Sequence, residues 1–327
     1  MNWFKKNEWR KKILFISSPI TAKLEETETL DYFAYIVSIL SQKIENVFPN
    51  YDLVVKVPED GGNTTDKQIK IINDAINIIN KNKNEYVAVI LSPYDKTKER
   101  DYVINLCNIS KTLLIDQGYY TDEEIKYFKQ KKVDRPPFVQ SDWEQGGKIA
   151  GQLLISYLQK KAIKSPNILI VKGNIGSEER IKGFKEPLNN SSLNPSYWEP
   201  INGQYSMQIT SKVFSDFYEE LKSTNNKIDA IFCTNDAMAL GVKEVLANDQ
   251  NLSTNVNNPV IIGYDGIRDF TLSMKFGDPF LFGTVDVQLL NQIHYFLNVL
   301  KNYIDGKELT DDIKYKHYPN ISYKYKV

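Results

Sequence analysis

The chain has 327 residues, 42% of them hydrophobic and 25% charged, and its 41 Lys+Arg balance 41 Asp+Glu to a formal net charge of zero. That length points to two domains. Neutrality removes the long-range pull on phosphates that nucleic-acid binding needs, and no apolar run approaches the roughly 20 residues that cross a bilayer. Cys107 and Cys233 are the only cysteines and His294 and His317 the only histidines. Disulfide frameworks, zinc sites and histidine-based catalysis are therefore poorly supplied. No metal and no cofactor are expected.

At the N-terminus a basic, aromatic start leads into Ile13–Ile16, too short an apolar stretch for a secretory signal. The expectation is a cytoplasmic protein, or a chain whose leader is lacking or replaced. Short apolar runs then recur at Ile13–Ile16, Leu53–Val57, Tyr86–Leu91, Thr112–Ile115, Ile168–Val171, Ile228–Cys233, Val260–Tyr264 and Phe280–Val285. Runs with so little alternation suit strands buried on both faces of a parallel sheet.

Between the runs the period is helical. Ile69, Ile72, Ile76 and Ile79 place an apolar stripe on a helix over about Asp66–Asn80. Ile149, Leu153, Leu154 and Tyr157 mark a second, starting at Ser141 or Asp142 with Gln145 as capping-box partner. Leu289, Ile293, Phe296 and Leu300 mark a third. The alternation predicts an α/β fold of two doubly wound parallel sheets. The polar stretch Tyr119–Lys132 and Arg135-Pro136-Pro137 mark the expected boundary between Asp116 and Asp142. The basic run Lys129–Lys132 reads as a solvated face.

In open parallel sheets ligands bind beyond the carboxyl ends of the strands. There stand Ser17 and Ser18, Ser92, Asp116 and Gln117, Asn235 and Asp236, Asp265, and Asp286. Each is also a good helix cap, but gathered at one edge they offer paired donors and acceptors suited to a polyhydroxylated ligand. No glycine-rich phosphate loop accompanies them: Gly61-Gly62 lacks the spacing and the lysine, and Gly146-Gly147 falls within a helix, where it serves close packing.

Four stretches carry a family resemblance: Ser141-Asp142-Trp143-Glu144-Gln145-Gly146-Gly147-Lys148-Ile149-Ala150-Gly151, Glu179-Arg180-Ile181-Lys182-Gly183-Phe184, Thr234-Asn235-Asp236-Ala237-Met238-Ala239-Leu240-Gly241 and Ile261-Ile262-Gly263-Tyr264-Asp265-Gly266. In order and spacing the chain, from about Lys12 to its end, resembles the type I periplasmic binding proteins of the ribose/galactose group, whose fold is shared with LacI-like effector domains. The resemblance implies two Rossmann-like lobes joined by a three-segment hinge around a central cleft. It puts the N-terminal lobe at 12–139 plus 287–314 and the C-terminal lobe at 141–285 plus 316–327, with crossings near Gln140–Asp142, Thr284–Val287 and Lys314–Tyr318.

Position by position, the resemblance assigns ligand contacts to Ser92, Asp116, Gln117, Arg180, Tyr205, Asn235, Asp265 and Asp286. Asp116 matches a hydroxyl-binding carboxylate, Arg180 the arginine that reaches the ring oxygen, and Tyr205 the aromatic that stacks on the sugar. Asn235 and Asp265 match the second-lobe amide and carboxylate. Gln117 stands where ribose binders carry arginine, which argues against ribose. Val287 replaces a polar hinge-side contact that Asp286 or Gln288 would supply. The loop after Ser17 is longer than usual, leaving Tyr32, Phe33 and Tyr35 as candidate first-lobe aromatics.

The expected function is non-enzymatic binding of a small sugar with hinge closure, as the substrate-binding component of an ABC-type uptake system or a chemosensory receptor. Its partner would be a permease or membrane sensor, with no nucleic acid, a monomeric state, and a place in the periplasm or cell envelope. The alternatives are a cytoplasmic sensor of the same fold for a sugar-like or nucleoside ligand, and an enzyme using Asp116, Asp265 and Arg180. A repressor is disfavoured, because about a dozen residues before the first strand leave no room for a helix-turn-helix.

Overall fold

The computed structural model describes residues 10–18, 32–58, 64–174, 176–224, 226–249 and 258–324. The loop after Ser17, Gly61-Gly62 and most of the N-terminal stretch read for a leader lie outside the described residues. In chain order the elements run β1 (Lys11–Ile16), α1 (Tyr32–Val47), β2 (Tyr51–Lys56), α2 (Thr64–Lys81), β3 (Tyr86–Leu91), α3 (Lys96–Cys107), β4 (Thr112–Ile115), α4 (Asp122–Gln130), β5 (Phe138–Ser141), α5 (Trp143–Lys160), β6 (Asn167–Lys172) and α6 (Ser177–Asn189). There follow β7 (Ser196–Asn202), α7 (Met207–Lys222), β8 (Ala230–Cys233), α8 (Asp236–Asn248), β9 (Val260–Asp265), α9 (Arg268–Lys275), β10 (Leu281–Asp286), α10 (Leu289–Ile304), α11 (Asp311–Lys314), β11 (Tyr315–Tyr318) and β12 (Ile321–Lys324).

The chain divides into two compact units. The first runs up to Gln140 and takes in Leu289–Tyr318; the second comprises Ser141–Gln288 and the chain from Pro319 on. Each holds one six-stranded sheet, in the order β11-β5-β4-β3-β1-β2 in the first unit and β12-β10-β9-β8-β6-β7 in the second. The central pairs are parallel, as their double-sided burial requires. β12 pairs antiparallel with β10 at an edge. All eight apolar runs are strands.

In the first unit, Leu14 and Ile16 of β1, Val89 and Leu91 of β3 and Leu114 of β4 pack with Ile72, Ala75 and Ile79 of α2 and Val103 and Leu106 of α3. The buried face of α2 includes Gln68, a polar residue on the same helical stripe as Ile72, Ala75 and Ile79, whereas Ile69 and Ile76 are half-buried. In α10, Leu289, Ile293, Phe296 and Leu300 are buried together, as their spacing predicts.

The passage between units after Gln140 falls within the expected interval Asp116–Asp142. Within that interval Tyr119–Lys132 is no linker: it holds the first unit's α4. A capping box joins Thr121 to Glu124, Lys96 pairs with Glu124 at 2.8 Å, and Tyr119 and Phe128 are fully buried. Residues 316–318, expected in the second lobe, lie in β11 of the first sheet, so the last passage between units falls after Tyr318. Lys129–Lys132 is exposed at all three of its lysines.

Glu99 of α3 is completely buried. Its Oε1 accepts the Asp95 N–H at 3.0 Å, while Oε2 has no partner among the described residues. Burial pushes this carboxyl from an ordinary value of 4.5 up to about 8. Folding therefore retains a proton that the unfolded chain releases, and stability falls as pH rises from about 4.5 to about 8, with a slope approaching about 1.4 kcal/mol per pH unit. Glu99→Gln is expected to flatten that slope. Denaturant titrations at several pH values in this window will check it; parallel curves for the two proteins would contradict the buried-acid assignment.

Candidate functional site

The expected site residues are best followed unit by unit. In the first unit, Ser92, Asp116 and Gln117 leave the carboxyl ends of the paired strands β3 and β4, where Leu91 lies opposite Leu114. Ser92 is fully buried; its hydroxyl lies 3.3 Å from that of Ser18, and its carbonyl accepts from the Ser18 hydroxyl at 3.0 Å. The amide of Gln68 completes this junction, donating to the carbonyls of Ser17 and Ser92 and accepting the Tyr94 N–H. Gln68 thus ties β1 to β3, a role that no local motif signals.

Asp116 adopts a φ of 75°, in the left-handed region that side chains rarely enter without a compensating contact. Its Oδ1 accepts the Tyr32 hydroxyl at 3.4 Å, and Tyr32 meets Phe33 edge-on at 5.4 Å between centroids. Tyr35, the third candidate aromatic, is 38% exposed. Gln117 is 7% exposed, and its Oε1 is buried without a partner among the described residues.

In the second unit the remaining five residues converge. α6 presents one face to the core, made of Ser177, Arg180, Ile181, Phe184 and Leu188 at helical spacing, with Phe184 stacked on Phe232 at 4.1 Å. Arg180 occupies the first turn of this helix, the end where a cation is disfavoured by about 0.3–1 kcal/mol. Its position is set instead by its neighbours. The guanidinium donates to the Thr234 carbonyl at 2.5 Å, stands 3.6 Å from the Asp265 carboxylate and lies 4.1 Å from the Tyr264 ring centroid. Trp143 and Tyr205 flank it at 5.8 Å each.

Tyr205 follows β7 with a φ of 61°. Its hydroxyl lies 2.9 Å from that of Ser177, which in turn meets the Thr234 hydroxyl at 3.1 Å. Asn235 caps α8, its Oδ1 accepting the Met238 N–H at 2.9 Å, while its amide nitrogen donates to the Tyr205 carbonyl at 3.4 Å. Asp265 and Asp286 are the last residues of β9 and β10 and stand opposite one another. Asp265 caps no helix: the cap of α9 is Ile267, which offers no side-chain bond. Asp286 accepts the Gln288 N–H at 2.7 Å, and burial pushes its carboxyl up. Among the described residues no group of His, Cys, Asp and Glu is arranged to hold a metal ion.

α5 brings Trp143 to this cluster through contact with α6 that only glycine permits. A Cβ on Gly147 would fall 2.2 Å from the Arg180 carbonyl, and one on Gly183 2.0 Å from the Glu144 carbonyl. Asp142 caps α5 by accepting the Gln145 N–H. The side chain of Gln145 does not return to complete a capping box; its Oε1 accepts from Asn320 instead, at 3.1 Å from the backbone nitrogen. Trp143 was not singled out as a site residue by sequence, yet it is 7% exposed and its indole N–H has no partner among the described residues.

A family model described as a periplasmic binding protein domain matches residues 36–308. Among solved structures, the chain is similar to a galactofuranose binding protein, with a TM-score of 0.74, 17% identity and coverage of 96% of this chain and 94% of that one. It is also similar to an ABC transporter periplasmic solute binding protein from Actinobacillus succinogenes 130z with bound D-allose, with a TM-score of 0.71, 17% identity and coverage of 96% and 97%. These likenesses are of fold. The HTH-type transcriptional regulator IdnR of Escherichia coli (strain K12) is 23% identical over 187 residues, 54% of this chain and 53% of the regulator. The chain spans about half the length of the curated relatives it matches.

The glycine contact gives a direct test of how Arg180 is held. Gly147→Ala is expected to force α5 and α6 apart at a cost of about 1–3 kcal/mol, read as a melting temperature lower by several degrees. An unchanged melting temperature would mean that the helix contact tolerates expansion.

Proposed function

The chain belongs to the periplasmic binding protein domain family, and on that footing we propose that it is a non-enzymatic receptor for a small, uncharged carbohydrate, serving an ABC-type uptake system or a chemosensory pathway at the cell envelope. The observation that carries the reading is the cluster of Arg180, Asp265, Tyr205 and Asn235 at one sheet edge. Charged donor, carboxylate, amide and aromatic face are the set that vicinal hydroxyls and a sugar's C–H face require. The charge of Arg180 is already met by Asp265 at 3.6 Å, which favours a neutral ligand over a sugar acid or phosphate. In this reading Ser92, Asp116, Gln117 and Asp286 add further polar contacts, and the buried Oε1 of Gln117 and N–H of Trp143 are groups that sugar hydroxyls are suited to satisfy.

A ligand held by groups from both units would favour a closed state through differential affinity. The ligands named for the similar structures, galactofuranose and D-allose, belong to the class we assign. A second reading, a sensor of the same fold, draws support from the regulator matches; cell fractionation separates the two, an envelope location favouring uptake and a cytoplasmic one favouring sensing. An enzyme would reveal itself by turning over the sugar it binds.

The first experiment is a thermal-shift screen against pentoses, hexoses, furanosides, polyols and nucleosides. A ligand at 1,000 times its Kd adds about 4 kcal/mol of stability, so a sugar should raise the melting temperature clearly, and silence across the panel would remove the carbohydrate reading. With a hit in hand, Arg180→Ala is expected to weaken binding by about 100-fold or more, since it deletes charge-assisted bonds of about 1.5–3 kcal/mol each. Unchanged calorimetric affinity would displace Arg180 from the site. Small-angle scattering at saturating sugar should give a smaller radius of gyration; no change would remove closure from the mechanism.

A further inference from the structure

One carboxyl group in the second unit lies beneath the candidate site rather than in it. Asp236, the first residue of α8, is fully buried. Its Oδ2 accepts the Ile267 N–H at 2.9 Å, the neighbouring Gly266 N–H favours the charged form of the same carboxyl group, and its Oδ1 accepts the Thr284 hydroxyl at 2.7 Å. Gly266 and Ile267 follow β9 and Thr284 lies on β10, the next two strands of the sheet, whose order runs β10-β9-β8. One carboxyl group therefore stitches together three neighbouring strand ends, which carry Asn235, Asp265 and Asp286.

Asp265 is the end most in need of fastening. Its φ is 113°, a conformation costing about 1–3 kcal/mol unless its surroundings hold it, and its carboxylate must stay 3.6 Å from the Arg180 guanidinium. The next residue, Gly266, has a φ of 73° and runs so close to Asp286 that a Cβ would lie 2.9 Å from its Cα. The backbone that Asp236 grips is thus the turn that sets the direction of Asp265.

We propose that Asp236 is a positioning residue for the second-unit half of the carbohydrate site, fastening the Gly266–Ile267 backbone to Thr284 and so holding Asp265 against Arg180. The inference rests on the carbohydrate-binding reading for its ligand, but not for its geometry. An ionised Asp236 would set a second buried charge beside Asp265; burial and that repulsion push the Asp236 carboxyl up. Asparagine keeps an oxygen toward the Ile267 N–H and sets its amide nitrogen toward the Thr284 hydroxyl, whose oxygen can accept from it. Alanine leaves the half-buried Ile267 N–H without its acceptor.

The test uses the full chain, with amide hydrogen exchange at Gly266 and Ile267 and calorimetric titration with D-allose and methyl β-D-galactofuranoside. Asp236→Ala should speed exchange at those two amides by about tenfold or more, leave the amides of α5 and α6 unchanged, and weaken binding of whichever sugar the parent chain takes by about tenfold or more. Asp236→Asn should stay within about threefold of the parent on both measures. Unchanged exchange at the two amides in Asp236→Ala, or damage by asparagine equal to that by alanine, would overturn the proposal. Should Asp236→Ala not fold, Thr284→Val, which removes a single bond, carries the same test and should quicken exchange at the same amides. If the parent chain binds neither sugar, the carbohydrate reading fails for these ligands while the exchange data still decide whether Asp236 holds the turn.

Discussion

A guanidinium group with about a tenth of its surface left to water is the constraint around which the second unit is arranged. Arg180 is 9% exposed, and a buried charge is tolerated only when partners replace its hydration. The replacements are four groups: the Thr234 carbonyl beyond β8, the Asp265 carboxylate at the end of β9, the Tyr264 ring beside it, and Trp143 from α5. None of these adjusts independently. α5 reaches Arg180 because Gly147 and Gly183 let the two helices touch, and Asp265 faces it because its backbone is held at an unfavourable φ. A helix core would be served better by an aliphatic residue at this position, so the arrangement is one of chemistry rather than of packing.

Backbone strain follows the same division. Asp116, Tyr205 and Asp265 all have positive φ, and all three stand at strand ends among the residues matched to ligand contacts. Asn235 and Ser92 do not share this strain: one caps α8 and the other locks β3 to β1. Conformations that cost free energy persist where the surrounding structure enforces them, and these three positions carry no capping role that would account for them. Strand ends of one chain thus separate into those explained by local structure and those that are not.

Most of the fold was legible because parallel strands buried on both faces leave an unmistakable run of apolar residues. Three of the four edge strands leave none. β7 is half-exposed and contains Pro200, tolerated only at an edge; β11 and β12 have four residues each and no fully buried side chain. The helical stripe of α2 was legible to within one residue, but the place of Gln68 on it was not, since its partners Ser17, Ser92 and Tyr94 lie 24 to 51 residues away. Gln145 illustrates the same limit: a residue well spaced for a capping box is claimed by Asn320, 175 positions later. The resemblance named Arg180, Tyr205, Asn235 and Asp265, which the fold brings together, whereas Trp143 and Asp236 come near them only in the folded chain.

The threading of the units has a consequence for how the chain is made. The first sheet lacks β11 and its covering helix α10 until residues 289–318 exist, and those follow the whole of the second unit's parallel sheet. A nascent chain that has emerged as far as Gln140 therefore carries five strands with one edge unclosed and apolar surface uncovered, while the later unit has everything but its β12 edge once Gln288 appears. Vectorial synthesis, which ordinarily completes the N-terminal domain first, here finishes the second-made unit's core before the first-made one. The opening half of the molecule must wait on the ribosome for α10 and β11, and a pause in translation after Gln140 would prolong the stage at which that half is open to misassembly.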